Sequence, residues 1–446
     1  MTPQSSRPGA ISIGVDWILI VLAALVLRLL VSGMVLGFNF IPDPDTYVYE
    51  STALNILAGN GYATAEGRSF TAPLFPLYMA GVFAVFGKHN FTALKILEAV
   101  VGALTSGWVY IIGLLAWDGP PRRGVGRLAG LMTLAYPTLV YFACVAMTEN
   151  LFTSLLAGAV AGLVVTRRRL LNGQRWSWQA LGVGLIFGLA TLTRPVVLTL
   201  PAFLFFWALL VDGLPLRRSQ PGEPGRYRSW ALVALVTLGM LVPVLSWTAR
   251  NYVIHRTLIP VATEDGVTFW GGNNPVTGSN PQKAGRWVYF IHLPEGEHLN
   301  SLPELERRQA AYALAWGYIR QNPEKMPRLL AYKLLRFWSL FPNRSGAEKA
   351  ISLLSYGIVV PFMLLGIGWS LWRSPRGALL LLMFIGPFML SALIYYGSVR
   401  MRLPLEPVLI VFAAFALDSL AGGLFASRRL AGGRLAGFYR RWAVVE

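Results

Sequence analysis

The chain has 446 residues, of which 55% are hydrophobic and 13% charged, with a mean hydropathy of +0.52. A soluble domain carries about twice that charged share, so a water-soluble globular protein is excluded. The formal net charge of +18 does not point to nucleic acid, because the arginines fall in short clusters between apolar runs and form no basic face interleaved with aromatics.

Long apolar runs recur from end to end and predict an all-α polytopic membrane protein, since a helix satisfies its own backbone hydrogen bonds in lipid. The first run, residues 15–37, is too long for the core of a signal peptide and is expected to stay as a transmembrane helix. Further helices are expected near 91–116, 128–147, 150–166, 179–193, 196–212, 230–249, 350–372, 377–396 and 403–422, about ten in all. The one cysteine, Cys144, lies inside an apolar run, so no intrachain disulfide forms.

Arginine clusters set the expected sidedness. Arg122, Arg123 and Arg127 form the first, and Arg167, Arg168, Arg169 and Arg175 the second. Arg217, Arg218, Arg226 and Arg228 follow, then Arg373 with Arg376, and finally Arg428, Arg429, Arg434, Arg440 and Arg441. Placed together in the cytoplasm, they put both termini inside and leave residues 38–90 and 250–349 as two outer loops on one membrane domain spanning 1–446. PLFPLYMAGVFAVFG (73–87) is too short to cross and is expected to lie in or dip into the outer interface. PELERRQAAYALAWGYIR (303–320) predicts a soluble amphipathic helix, and RLLAYKLLRFWSLF (328–341) an interfacial one.

The residues that break this threading carry the chemistry. Charge at the edge of lipid is costly. Asp43, Asp45, Glu149, Arg194, Arg250, Arg400 and Arg402 all fall at the outer ends of helices. Carboxylates beside arginines at one rim suit transfer of a group from a lipid phosphate. Arginine binds the leaving phosphate through planar paired hydrogen bonds, and a carboxylate takes the proton of an incoming hydroxyl. The bland alternatives are a helix cap or prolyl turn for the aspartates, an ordinary ion pair for Glu149, and snorkelling or lipid contact for Arg194 and Arg250. Lys333 is a further candidate, and Asn273 and Asn274 suit either a sugar contact or the turn itself. The Asp43-x-Asp45 spacing would also suit Mg²⁺ or Mn²⁺, whereas the four scattered histidines show no ligand spacing. Arg28 and Glu98 fall at matched depth in the first two helices and are expected to form a buried ion pair. GVGLIFG (182–188) reads as small residues that let helices approach closely.

IPDPDTYVYESTALNILAGNGY (41–62) followed by TAPLFPLYMAGVFAVFG (71–87) resembles the first outer loop of the GT-C glycosyltransferases. The likeness is greatest to glycosyltransferase family 39 (the protein O-mannosyltransferases and bacterial relatives) and to the lipid A aminoarabinose transferases. MTEN (147–150), LTRP (192–195), ARNY (249–252), FWGGNNP (269–275) and SVRMRLPLEP (398–407) follow in the family's order. The resemblance implies a GT-C fold and transfer of a sugar from a polyprenyl-phosphate donor to an acceptor hydroxyl on protein, lipid or glycan. It implies Asp45 as general base, Tyr49 after it, Glu149 as second acid, an extracytoplasmic site in a bacterial-type plasma membrane, and no required cofactor. Many relatives carry Asp-Glu at the first position, where this chain has Asp45-Thr46 with Asp43 two residues earlier. The rival readings are a lipid-linked glycan ligase and a flippase or transporter; no internal repeat of the transporter kind is visible.

Overall fold

The structure is a computed structural model that describes residues 8–41, 43–175, 177–213, 228–341 and 346–430. Arg217, Arg218, Arg226 and the tail arginines Arg434, Arg440 and Arg441 lie outside the described residues. Among those described, the secondary structure is helical, with one isolated β-bridge between Thr64 and Gly67.

In chain order, α1 (Pro8–Leu30) runs on through a π-turn to Leu36, and α2 (Asp45–Leu57) and α3 (Leu74–Phe86) follow in the first of the two segments expected on the outer side. Then come α4 (Phe91–Leu115), α5 (Arg123–Ala135), α6 (Pro137–Phe142), α7 (Thr148–Leu171), α8 (Ser177–Thr193), α9 (Leu200–Asp212) and α10 (Arg228–His255). The second outer segment holds α11 (Asp265–Gly272), α12 (Pro275–Ser279), α13 (Gly296–Ser301), α14 (Glu304–Gln321) and α15 (Met326–Phe337). The chain closes with α16 (Ala347–Ser352), α17 (Ile358–Arg373), α18 (Pro375–Leu382), α19 (Ile385–Ile394), α20 (Val399–Arg402) and α21 (Glu406–Leu430).

Among the described residues, eight helical stretches are long and apolar enough to cross a membrane, and they coincide with eight of the ten expected segments. This is an integral membrane protein. The other two segments differ for physical reasons. Residues 179–193 form α8, a shorter apolar helix. Residues 128–147 are broken between α5 and α6, because Pro137 pushes Tyr136 into an extended conformation (ψ 108°) and ends the helix there. Helix α10 runs further than expected, so Arg250 sits within its last turns.

Helices α7 and α21 form the centre. Val408 to Ala416 of α21 are buried at every position, so this helix meets protein on all sides and no face is left for lipid. By contrast α1 carries exposed Leu19, Leu22 and Val26 on its outer face, as a helix bordering lipid would. Helices α8 and α10 touch backbone to backbone. A methyl group on Gly184 would run into the Val236 carbonyl, and one on Gly239 into the Leu181 carbonyl. The small-residue reading of 182–188 is therefore what the packing uses.

The two outer segments are stitched together. Backbone bonds join Thr263 to Ser69 (2.9 Å) and Glu264 to Phe70 (3.1 Å). The Glu304 carboxylate accepts from the Arg68 and Ser69 amides (2.7 and 2.9 Å) and from the Thr263 hydroxyl (2.7 Å), and Arg307 pairs with Glu66. The expected Arg28–Glu98 pair is not formed. Arg28 donates to the Ala24 carbonyl of its own helix, and Glu98 accepts from the Asn150 amide (2.8 Å). Matched depth placed the two at one level without turning them toward each other.

Gly184→Ala is expected to destabilise the protein by about 1–3 kcal/mol, since the helices must part to admit the methyl group. Gly182→Ala, where nothing lies within 4 Å of the added carbon, should be neutral. Thermal unfolding of both variants in detergent checks the pair; equal melting temperatures would contradict the packing.

Candidate functional site

The site forms where the outer ends of α2, α7, α8 and α20 meet. Thr148 opens α7, and this places Glu149 in the first turn, at the positive end of the helix dipole. Its side chain is completely buried. A carboxylate so enclosed needs cationic or hydrogen-bonding partners. Glu149 Oε1 accepts from Arg194 Nη2 at 2.7 Å and from Arg400 Nε, while Oε2 faces the Thr148 hydroxyl at 3.3 Å. Arg194 reaches in because Pro195 ends α8 and holds Arg194 extended; its Nε also donates to Thr148 Oγ1 at 3.1 Å.

Arg400 is the hub. Beyond Glu149, its Nη1 points at Asp43 Oδ2 (3.4 Å) and its Nη2 at Asp45 Oδ2 (3.5 Å). Those contacts are at the long limit for a hydrogen bond, so the outer guanidinium edge is loosely held while Nε is fixed. Asp43 Oδ1 accepts the Asp45 amide at 3.1 Å, which sets the entry to α2. The Asp45 side chain is 54% exposed, the most open carboxylate of the group. Burial of its inner side raises the Asp45 carboxyl above the ordinary aspartate value. Arg400 opposes this, and Asp43 and Glu149 reinforce it.

Tyr49 stands one turn further along α2, edge-on to Phe75 with ring centroids 5.2 Å apart, and within electrostatic reach of Asp45, Glu149 and Arg194. Tyr396 lies close to the same arginines.

Five sequence candidates are placed elsewhere. Arg402 is fully buried and spent on protein: Nε meets Glu406 at 3.1 Å, and Nη1 meets the Phe337 and Ser339 carbonyls at 2.7 and 2.8 Å. Its guanidinium also stacks on Tyr356. Two residues along a helix is a rotation of about 200°, so Arg400 and Arg402 face opposite ways. Lys333 is buried with donors on Asn273 Oδ1 (2.8 Å) and the Leu393 and Ile394 carbonyls (3.0 and 3.1 Å), and burial draws its ammonium down to about 7. Asn273 ties Phe269 to Ile394, and Asn274 caps α12 through a reciprocal pair of bonds with Thr277. Both asparagines make the turn. Arg250 holds the first outer segment through the Arg68 and Tyr62 carbonyls (2.7 and 3.0 Å) and stacks on Trp247.

Glu264 was missed. The stitched segments bring it within electrostatic reach of Arg194, Asp45 and Arg400. It is half-buried, and burial pushes its carboxyl up to about 7, with Arg194 opposing and Asp45 and Asp265 adding to the rise. The Glu264-Asp265 pair at the start of α11 was the local signal.

As a home for a divalent ion the cluster fits poorly. The carboxylates of Asp43, Asp45 and Glu149 converge on different nitrogens of one guanidinium, which takes the place a metal would need. Among the described residues no three His, Cys, Asp or Glu side chains are grouped for a metal.

Among solved structures, the apo Archaeoglobus fulgidus oligosaccharyltransferase superposes with a TM-score of 0.58 at 13% identity, over 95% of this chain and 53% of that one. Its form tethered to an acceptor peptide containing the NVT sequon gives 0.51 at 12% identity, over 95% and 52%. The fold is GT-C. The undecaprenyl-phosphate complex of ArnT from Cupriavidus metallidurans matches at 17% identity over 94% of this chain and 81% of that one, with a TM-score of 0.42. No family model matches the sequence, and no curated protein sequence matches it. The chain spans about half the length of the oligosaccharyltransferase chains it superposes on, and it is the GT-C scaffold that the two share.

Glu149→Ala is expected to cost about 1–3 kcal/mol, because it removes the buried acceptor shared by two part-exposed guanidiniums, of which Arg400 keeps Asp43 and Asp45 and Arg194 keeps Thr148. Asp45→Asn should melt at or above the wild-type temperature at neutral pH. A carboxyl whose folded pKa is raised favours folding in its protonated form and loses that contribution as pH rises, so removing the charge costs nothing. Thermal unfolding of the two variants side by side checks the contrast, and comparable losses would contradict it.

Proposed function

We propose that the chain is a glycosyltransferase that moves a sugar from a polyprenyl-phosphate donor to an acceptor hydroxyl, at a site facing the extracytoplasmic side of a bacterial-type plasma membrane. One observation carries the reading: an open carboxylate, Asp45, touches the loosely held edge of an arginine whose other edge is anchored by a buried acid. The Archaeoglobus fulgidus enzyme is also known in complex with an inhibitory peptide and a dolichol-phosphate, which supports a lipid phosphate as the donor chemistry.

The donor keeps its chain in lipid and its phosphate at the rim. Arg400 turns its Nη edge from Asp43 and Asp45 to the phosphate, with Arg194 beside it, and stabilises the negative charge that grows as the bond breaks. Asp45, released from Arg400, accepts the proton of the acceptor hydroxyl. The acceptor oxygen attacks the anomeric carbon, the bond from that carbon to the phosphate oxygen breaks, and the phosphate leaves with the electron pair. A single displacement inverts the anomeric centre. Glu149 holds both arginines in register, and Glu264, within electrostatic reach of Asp45, adds a carboxyl whose charge changes near neutrality. No step runs through a metal.

A second reading is transfer of a preassembled glycan, favoured by the superposition on oligosaccharyltransferases. A radiolabelled assay comparing monosaccharide monophosphate lipids with glycan diphosphate lipids separates the two.

Asp45→Asn should lower transfer by about 10²–10⁴-fold, the usual contribution of a positioned base; near-normal turnover would refute the role. In the wild type, kcat/KM should fall as pH drops through a pKa above the ordinary aspartate value, since the base must be ionised. Above pH 7 ionised Glu264 adds negative charge opposite the donor phosphate, so donor KM should rise, and the rise should vanish in Glu264→Gln. A rise that persists in that variant would remove Glu264 from the account.

A further inference from the structure

A cavity of about 590 Å³ opens at the far ends of α4, α7 and α17. Eighteen residues of α7 separate Glu149 from Arg167, about 27 Å at 1.5 Å per residue, close to the hydrocarbon thickness of a bilayer. The cavity therefore lies at the opposite rim from the site above. Its charge is strongly one-sided. Arg167 is neutralised by Asp118 at 2.7 Å, which leaves Arg168, Arg373 and Arg376 lining the space.

Arg168 is held in place by carbonyls at and just beyond the end of α4, donating to Gly119 O at 2.5 Å and Leu115 O at 3.4 Å. Arg373 and Arg376 flank the α17–α18 junction, exposed, and neither meets a carboxylate among the described residues. Arg373 lies over the ring of Trp372, which is 80% exposed, as a tryptophan at headgroup level would be. Leu115, Trp117, Leu171 and Pro375 add apolar surface to the lining, and Asn172 a polar side chain.

We propose that this cavity binds a phosphate-bearing anion, with three guanidiniums around the phosphate and the apolar lining against what is attached to it. A phospholipid headgroup and a soluble phosphate share that chemistry. The apolar lining and exposed Trp372 favour the lipid, as do basic pockets between transmembrane helices generally. The alternative is that these arginines act only as diffuse surface charge, in which case any arginine of that face would serve equally.

The test uses the full chain in neutral detergent. Thermal shift is titrated with a short-chain phosphatidylglycerol, with inorganic phosphate, and with a short-chain phosphatidylcholine, whose phosphate is matched by its own cation. Arg373→Ala/Arg376→Ala is compared with Arg169→Ala, a change on the same face outside the cavity lining. The expected result is saturable stabilisation by phosphatidylglycerol that weakens at least about tenfold in the double variant and is unchanged in Arg169→Ala. Stabilisation by inorganic phosphate with the same dependence supports the site with a soluble ligand. Equal weakening in Arg169→Ala, equal stabilisation by phosphatidylcholine, or no saturable response to either anion overturns the proposal. To separate lost binding from lost stability, Arg373→Gln/Arg376→Gln is run alongside and must show the same weakening.

Discussion

Glu149, a carboxylate with no solvent exposure, lies between two guanidiniums. Most of the outer rim depends on that arrangement. An acid so enclosed persists because Arg194 and Arg400 meet it there, and each arginine comes from a break between helices: Arg194 before Pro195, Arg400 in the short helix α20. The ion pair thus fixes where α7, α8 and α20 end relative to one another. Through the free edge of Arg400 it also fixes where α2 begins, since Asp43 and Asp45 turn toward that edge.

The division of labour among the acids follows from exposure. Glu149 is sealed and acts on the arginines. Asp45 is open and can meet an incoming group, the feature that suits it to the proposed role of base. Glu264 is half-buried and arrives from the other outer segment. The contacts that deliver it, from Thr263 to Ser69, from Glu264 to Phe70 and from Arg68 and Ser69 to Glu304, bind the two segments into one unit.

How much of this could be read from sequence depended on the kind of signal. Asp43, Asp45, Glu149, Arg194 and Arg400 stood out because charge at the end of an apolar run is expensive, and that cost is local. Depth along a helix is legible in the same way, but rotation about its axis is not. Arg402 shares the rim with Arg400 yet faces Glu406, and Arg28 shares a level with Glu98 yet bonds to its own helix. Lys333 and the two asparagines carry the polar atoms of a binding site, and they spend them on backbone carbonyls. Glu264 left almost no trace, because its partner segment around Phe70 lies nearly two hundred residues earlier and pairs with it only through backbone. Pro137 was visible in the sequence, and its effect on the expected 128–147 helix follows from the residue before it being forced out of the helical region.

The central claim is that the outer edge of Arg400 is where a lipid phosphate is held. A density map of the protein with polyprenyl phosphate bound in a lipid nanodisc tests it most directly. The account predicts the phosphate within hydrogen-bond distance of the Arg400 Nη atoms, with Asp45 released and facing the open side. Phosphate density at the opposite rim, or at this rim with Arg400 still closed on both aspartates, would contradict it.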